Sequence, residues 1–191
     1  LPGVKQISPP DVMQGPDIQI AGVLREYPNF DGIICLPGTH TKWVHISAGE
    51  IISFQTFMTG ELLGLLSENS GLRQGVEGDD WDQPIFLTAI SDGMTRPQAV
   101  AANLFGIRAG SIVGDLAKGD ARARLHGLLI GAELAAARPY WLGQNVAIVG
   151  AGPVTEMYRS ALVEQGVPAA VLDTTGLMVA GLTAAYLAIG H

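Results

Sequence analysis

The stretch Leu36-Pro37-Gly38-Thr39-His40-Thr41-Lys42-Trp43 decides how this chain reads. Just before it, Gly32-Ile33-Ile34-Cys35-Leu36 is a short, continuously apolar run, suited to a central strand. Beyond it, Trp43-Val44-His45-Ile46 and Ile51-Ile52-Ser53-Phe54 alternate, and Ser47-Ala48-Gly49-Glu50 between them is turn chemistry, so they predict a hairpin. The octet therefore links a first strand to a second, and its composition is specific. Gly38 lets the backbone approach a ligand with no Cβ in the way. Thr39 and Thr41 set hydroxyls beside exposed N–H groups, and Lys42 adds positive charge. Such a loop can hold terminal phosphate oxygens and a magnesium-bound water. The plainer alternative is a polar hairpin connection. His40 reads either as a phosphate or substrate contact or as a structural hydrogen-bonding group, whereas His45 and His126 read as structural.

Working outward, residues 1–16 are rich in Pro and Gly and read as connector and turn. Gly15-Pro16 precedes a short helix from Asp17 to Arg25, with proline where its missing N–H is harmless. A helix begins near Gly60-Glu61. Residues 67–96 are polar and Gly-rich and read as a surface insertion. Helices follow at about Pro97 to Leu116 and Ala121 to Arg138. In the second of these, Gly127, Gly131 and Ala135 form a smooth stripe that would let another element approach closely. Val146 to Val149 and Ala169 to Leu172 read as strands, Pro153 to Gln165 and Leu177 to Ile189 as helices. The order is β-β-β-α-(α)-β-α-β-α, an α/β class.

Composition narrows the function. The chain has 191 residues, 48% hydrophobic and 15% charged, which supplies a core and argues against disorder. Its net charge of -7 offers no basic stripe for nucleic acid. An acidic protein can still meet phosphate through backbone N–H groups and a metal ion. The one cysteine, Cys35, lies inside an apolar run and reads as a core residue. No disulfide can form within the chain, which fits the cytoplasm. Neither a signal peptide nor an apolar stretch of membrane-spanning length is seen, so no membrane partner is expected. The sequence leaves oligomeric state open, a homo-oligomer included.

Gly150-Ala151-Gly152-Pro153-Val154-Thr155 follows an apolar strand, opens a helix and has Asp173 about twenty residues on, imitating a dinucleotide fingerprint. Thr155 replaces the third Gly, only 18 residues follow Asp173, and the loop at 36–43 has no place in such a domain. Gly176 and Gly181 read as packing positions.

The runs Leu36 to Trp43 and Phe57-Met58-Thr59-Gly60-Glu61-Leu62, with Asp11-Val12-Met13, Gly15 and Gln19 upstream, resemble the 2-dehydro-3-deoxygalactonokinase family of the sugar-kinase, hexokinase and actin superfamily. The resemblance covers essentially all 191 residues. It implies a ribonuclease-H-like (actin-like ATPase) domain, a mixed sheet with helices on both faces, over residues 31–191. Residues 1–30 would be a connector and helix carrying the catalytic base. It further implies ATP and Mg²⁺ as cofactors and a small sugar acid, 2-dehydro-3-deoxy-D-galactonate, as phosphate acceptor. Gly38, Thr39, His40, Thr41 and Lys42 would bind phosphate, and Gly150, Ala151 and Gly152 would border the adenosine. In the matching stretch, Asp17 stands for the base where similar kinases carry two adjacent Glu, with Asp11 as rival and helix capping as the structural alternative. No residue here is a direct metal ligand under this reading. The superfamily's Asp-x-Gly-x-Thr hairpin is not in the sequence, so the chain is expected to be the C-terminal part, lacking an N-terminal domain. Rival readings are another sugar or polyol kinase and a non-kinase actin-like nucleotide module.

Overall fold

The computed structural model describes residues 3–114 and 116–188. Pro2 of the expected connector and Ile189 of the expected last helix lie outside the described residues. The chain forms two compact units, Leu1–Thr56 with Pro139–His191, and Phe57–Arg138. The sequence reading runs one domain from 31 to 191; in the structure, Phe57–Arg138 is a compact unit of its own.

The first unit is built on a five-stranded sheet. Its strands are β3 (Gly32–Leu36), β4 (Thr41–Ser47), β5 (Glu50–Phe57), β6 (Val146–Val149) and β7 (Ala170–Leu172), in the spatial order β5-β4-β3-β6-β7. β3 runs antiparallel to β4 and parallel to β6, and β6 runs parallel to β7, so the sheet is mixed. The β4–β5 turn follows from its two residues: Ala48 at φ 52° and Gly49 at φ 77° give the paired positive φ that matches strand twist. Residues 4–13, expected as connector, instead form a small antiparallel pair, β1 (Val4–Gln6) and β2 (Asp11–Met13).

The alternation of β3 divides the core. Ile34 and Leu36 join Val44, Ile46, Phe54 and Val149 in one apolar cluster, with Ile20 and Val23 of α1 (Pro16–Glu26) and Leu177 of α9 (Thr174–Ala188). Ile33, Cys35, Trp43 and Ile148 are at most 2% exposed on the opposite face. There the Tyr158 hydroxyl of α8 (Pro153–Glu164) lies 3.0 Å from Thr41 Oγ1. Helices thus cover both faces. Each fully buried Leu, Ile or Phe contributes about 1.5–3 kcal/mol. α1 and α9 cross through glycine: a Cβ on Gly22 would strike the Leu177 carbonyl, and one on Gly181 the Ile18 carbonyl. The sequence reading of Gly181 as a packing position agrees with this contact. Gly176 has no atom within 4 Å of its Cβ position and faces open space.

The second unit is helical: α2 (Thr59–Asn69), α3 (Arg73–Val76), α4 (Gln83–Thr95), α5 (Val100–Val113) and α6 (Lys118–Ala136), after which the short α7 (Arg138–Trp141) follows in the chain. The smooth stripe of α6 has its partner. A Cβ on Gly127 would meet the Phe86 carbonyl at 2.5 Å and Ala89 Cβ at 2.6 Å, and one on Gly131 would strike the Ile90 carbonyl. That partner, α4, lies inside residues 67–96, which the sequence reading placed on the surface as an insertion. This is a correction: Phe86 and Ile90 are fully buried. The polar, Gly-rich flanks hid a helix that starts at Asp82, whose side chain accepts the Ile85 N–H at 2.8 Å as an N-cap.

His126 on α6 shows what burial costs this unit. Burial first, and the nearby Arg122 charge second, lower its pKa from 6.5 to about 4. Between these values the unfolded chain takes up a proton that the folded one refuses. The neutral ring's contribution is therefore complete above about pH 6.5 and drains away as pH falls toward 4. The loss should approach about 3 kcal/mol. Urea unfolding at pH 7.5 and pH 4.5 should show this loss in the wild type and a clearly smaller one in His126→Leu. Equal losses in both proteins would contradict it.

Candidate functional site

Because β3 and β6 are parallel neighbours, with Cys35 level with Ile148, their carboxyl ends open on the same edge of the sheet. Pro37 to His40 leaves from β3, and Gly150 to Gly152 leaves from β6. β7 ends at that edge too, and the Leu172 carbonyl accepts the Gly150 N–H at 3.3 Å. Ligands of open α/β sheets bind outside the carboxyl ends of the strands. The two sequence-predicted loops are therefore brought to one edge.

Gly38, Thr39 and His40 are exposed, and a Cβ on Gly38 would meet nothing within 4 Å. The loop's backbone is open to an incoming group. Thr41 differs from the rest: it is 0% exposed, and its hydroxyl faces Tyr158. The hydroxyl that the sequence reading offered to phosphate is turned into the core, because Thr41 already belongs to β4 and shares the buried face of Trp43. Lys42 is only 6% exposed. Burial lowers its pKa, and the Asp11 carboxylate opposes that shift. A lysine held so has little water around its charge and interacts strongly with any anion that reaches it.

The structure separates the two candidate carboxylates. Asp11 is fastened to neighbouring backbone. Its Oδ2 accepts the Thr56 N–H at 2.7 Å, and its Oδ1 accepts the Thr56 hydroxyl at 2.8 Å and the Val12 N–H at 2.7 Å. Asp17, in the first turn of α1, accepts one bond, from the Gly15 N–H to Oδ1 at 2.6 Å. Its Oδ2 takes no protein hydrogen bond among the described residues. Asp17 is half-buried and has an oxygen to spare, whereas Asp11 ties β2 to β5.

At the glycine turn, Gly152 caps α8 at φ 78° and ψ -167°, a conformation open to glycine alone, with Pro153 as the first helical residue. A Cβ on Gly150 would strike Thr155 Oγ1. Thr155, which breaks the dinucleotide pattern, is therefore a buried strut under the turn. Leu172, which accepts the Gly150 N–H, also lines a cleft of about 320 Å³ with Glu26, Tyr27, Asp173, Gly176 and Leu177. Sequence reasoning missed Tyr158 and Thr155. The spacing Thr155, Tyr158, Ala161, Leu162 on the buried side of α8 carried the signal.

Fold and loops together define an α/β protein whose mixed sheet presents two glycine-bearing loops at the carboxyl edge of its parallel strands. Residues 1–185 match the family model described as 2-keto-3-deoxy-galactonokinase, and the chain belongs to that family. It is similar to the Rhizobium meliloti (strain 1021) protein named Probable 2-dehydro-3-deoxygalactonokinase DgoK1. The two are 36% identical over 195 residues, covering 99% of this chain and 64% of the relative. The Escherichia coli (strain K12) protein named 2-dehydro-3-deoxygalactonokinase is 33% identical over 157 residues, covering 82% of this chain and 53% of that one. A crystal structure of a Sinorhizobium meliloti protein assigned to the 2-dehydro-3-deoxygalactonokinases superposes with a TM-score of 0.87 at 36% identity. That match covers 94% of this chain and 61% of the other. The chain thus spans between about half and just under two thirds of the length of these relatives. Among the described residues, no helix is long and apolar enough to cross a membrane.

Proposed function

We propose that this chain carries the nucleotide-binding part of an ATP-dependent 2-dehydro-3-deoxygalactonokinase with a ribonuclease-H-like (actin-like ATPase) fold. The strand order supports that fold: counted from β3, it runs third, second, first, fourth, fifth, with the second strand antiparallel to the first. The observation that carries the functional reading is the shared edge. The open loop at Gly38 and the glycine turn at Gly150 leave adjacent parallel strands in the same direction.

In this reading the backbone of Gly38 to His40 and the Thr39 hydroxyl hold the terminal phosphates, with Lys42 supplying positive charge from the loop's base. Thr41 supports the loop through Tyr158 and keeps its hydroxyl out of the ligand. Gly150, Ala151 and Gly152 border the adenosine. The terminal hydroxyl oxygen of 2-dehydro-3-deoxy-D-galactonate attacks the γ-phosphorus, the bond to the β,γ-bridging oxygen breaks and ADP leaves. The hydroxyl proton passes to Asp17. Among the described residues there is no group of three His, Cys, Asp or Glu that could hold a metal. Magnesium would arrive with the nucleotide, held by phosphate oxygens and waters, and would supply charge neutralisation at the phosphates.

An assay coupling ADP release to 2-dehydro-3-deoxy-D-galactonate tests the activity. ATP consumption with no dependence on the sugar acid would overturn the reading. Gly38→Ala tests the loop. The free protein has room for the methyl group, so stability should not change. Bound phosphate would need that space, so the KM for ATP should rise about tenfold or more. An unchanged KM would remove Gly38 from the phosphate site.

A further inference from the structure

Asp173 has no part in the phosphate transfer proposed above, yet it stands next to the glycine turn. β7 pairs with β6, with Leu172 level with Val149, so Asp173 leaves the sheet beside Gly150. The cleft of about 320 Å³ opens there, lined by Glu26, Tyr27, Leu172, Asp173, Gly176 and Leu177. That size is at the small end for a ligand site. All six residues belong to the first unit.

The two carboxylates of this cleft are unspent. Neither the Glu26 nor the Asp173 side chain has a hydrogen-bond or ion-pair partner among the described residues. Asp173 stands one residue before α9, where an aspartate ordinarily accepts an N–H of the first turn. Here it accepts none. Gly176, in that turn, has nothing within 4 Å of its Cβ position, so no side chain closes the cleft from α9. Tyr27 is 48% exposed, and with Leu172 and Leu177 it supplies apolar surface.

This lining suits a nucleoside and not its phosphates. Two carboxylates repel phosphate, and they accept hydrogen bonds from hydroxyls. Position agrees with that chemistry. β7 lies two strands from β3, about 10 Å at the usual strand spacing, a distance that a triphosphate chain spans. In dinucleotide folds an acidic residue about twenty residues beyond a glycine turn holds the ribose 2′-hydroxyl; Asp173 has that placement here although the fold differs. We infer that the cleft takes the ribose of the bound nucleotide. Asp173 accepts its 2′-hydroxyl, Glu26 accepts the 3′-hydroxyl, and the apolar lining lies against the base. These two carboxylates then select a ribonucleotide over a deoxyribonucleotide. The inference rests on the nucleotide reading above and adds a source of sugar specificity to it.

Calorimetric titration with ADP and with 2′-deoxy-ADP, each with magnesium, reads binding without turnover. The wild type should bind ADP about tenfold or more tightly, the loss expected when a hydrogen bond to a charged group is removed. Asp173→Ala should weaken ADP by about the same factor and leave 2′-deoxy-ADP at its wild-type affinity, so the preference disappears. Glu26→Ala should weaken both nucleotides alike, because both keep the 3′-hydroxyl. Asp173 and Glu26 are exposed, so circular dichroism should show both variants folded. The inference is overturned if the wild type binds the two nucleotides equally, or if Asp173→Ala keeps the wild-type preference. It is overturned equally if Glu26→Ala binds ADP as tightly as the wild type. Each of those results would leave the nucleotide reading standing, whereas a protein that binds no ADP would end both.

Discussion

Asp17→Asn is expected to slow turnover about 10²–10⁴-fold, the usual contribution of a positioned general base. The KM for ATP should stay near the wild-type value. The reason is local. Asp17 accepts a single protein hydrogen bond, from Gly15, which Asn can also accept through its carbonyl oxygen, so helix α1 keeps its start. What Asn cannot do is take up a proton from the attacking hydroxyl. Asp11→Asn should behave differently. One of the three bonds accepted by Asp11 would face an amide group that only donates, so stability should fall by about 1–3 kcal/mol. Near-normal turnover in Asp17→Asn would remove Asp17 from the base role. Kinetic assays of both variants beside their thermal unfolding would separate catalysis from folding.

Gly181→Val is expected to destabilise the first unit by about 3–5 kcal/mol, at the severe end for single substitutions. The Cβ would strike the Ile18 carbonyl, which is backbone of α1 and cannot swing aside. α1 and α9 would have to separate, uncovering Ile20, Val23 and Leu177 from the sheet. Gly176→Ala offers the matched control, because its Cβ would meet nothing within 4 Å. Urea denaturation should show a large loss for Gly181→Val and little for Gly176→Ala. Equal stabilities would mean that the helices do not cross this closely.

Both predictions draw on features that were unevenly legible in the sequence. The strands β3, β4, β5, β6 and β7 could be read because each combines a short apolar or alternating run with turn residues at its ends. The glycine stripe of α6 could be read from spacing alone. Its partner could not: α4 sits between Asp79-Asp80-Trp81-Asp82 and Thr95-Arg96-Pro97, and those polar flanks outweighed the apolar Ile85, Phe86 and Ile90 within. Loop chemistry was legible as composition, but side-chain direction was not. Thr39 and Thr41 look alike in the sequence, yet strand β4 begins at Thr41 and turns that hydroxyl inward onto Tyr158, 117 residues away. The sequence placed Asp17 ahead of Asp11 by its position in the matching stretch, but the bonds by which Thr56 holds Asp11 could not be read there. Long-range hydrogen bonds leave no local trace in a chain, and they decide which of two similar residues is free to act.

The central claim is that the loop after β3 and the turn after β6 hold one nucleotide between them. Backbone amide NMR of the isotopically labelled protein, titrated with a non-hydrolysable ATP analogue and magnesium, tests it most directly. The account predicts saturable shifts at Gly38, Thr39 and His40 together with Gly150, Ala151 and Gly152, all following one binding curve. Saturable shifts confined to other residues, with these six amides unmoved, would contradict it.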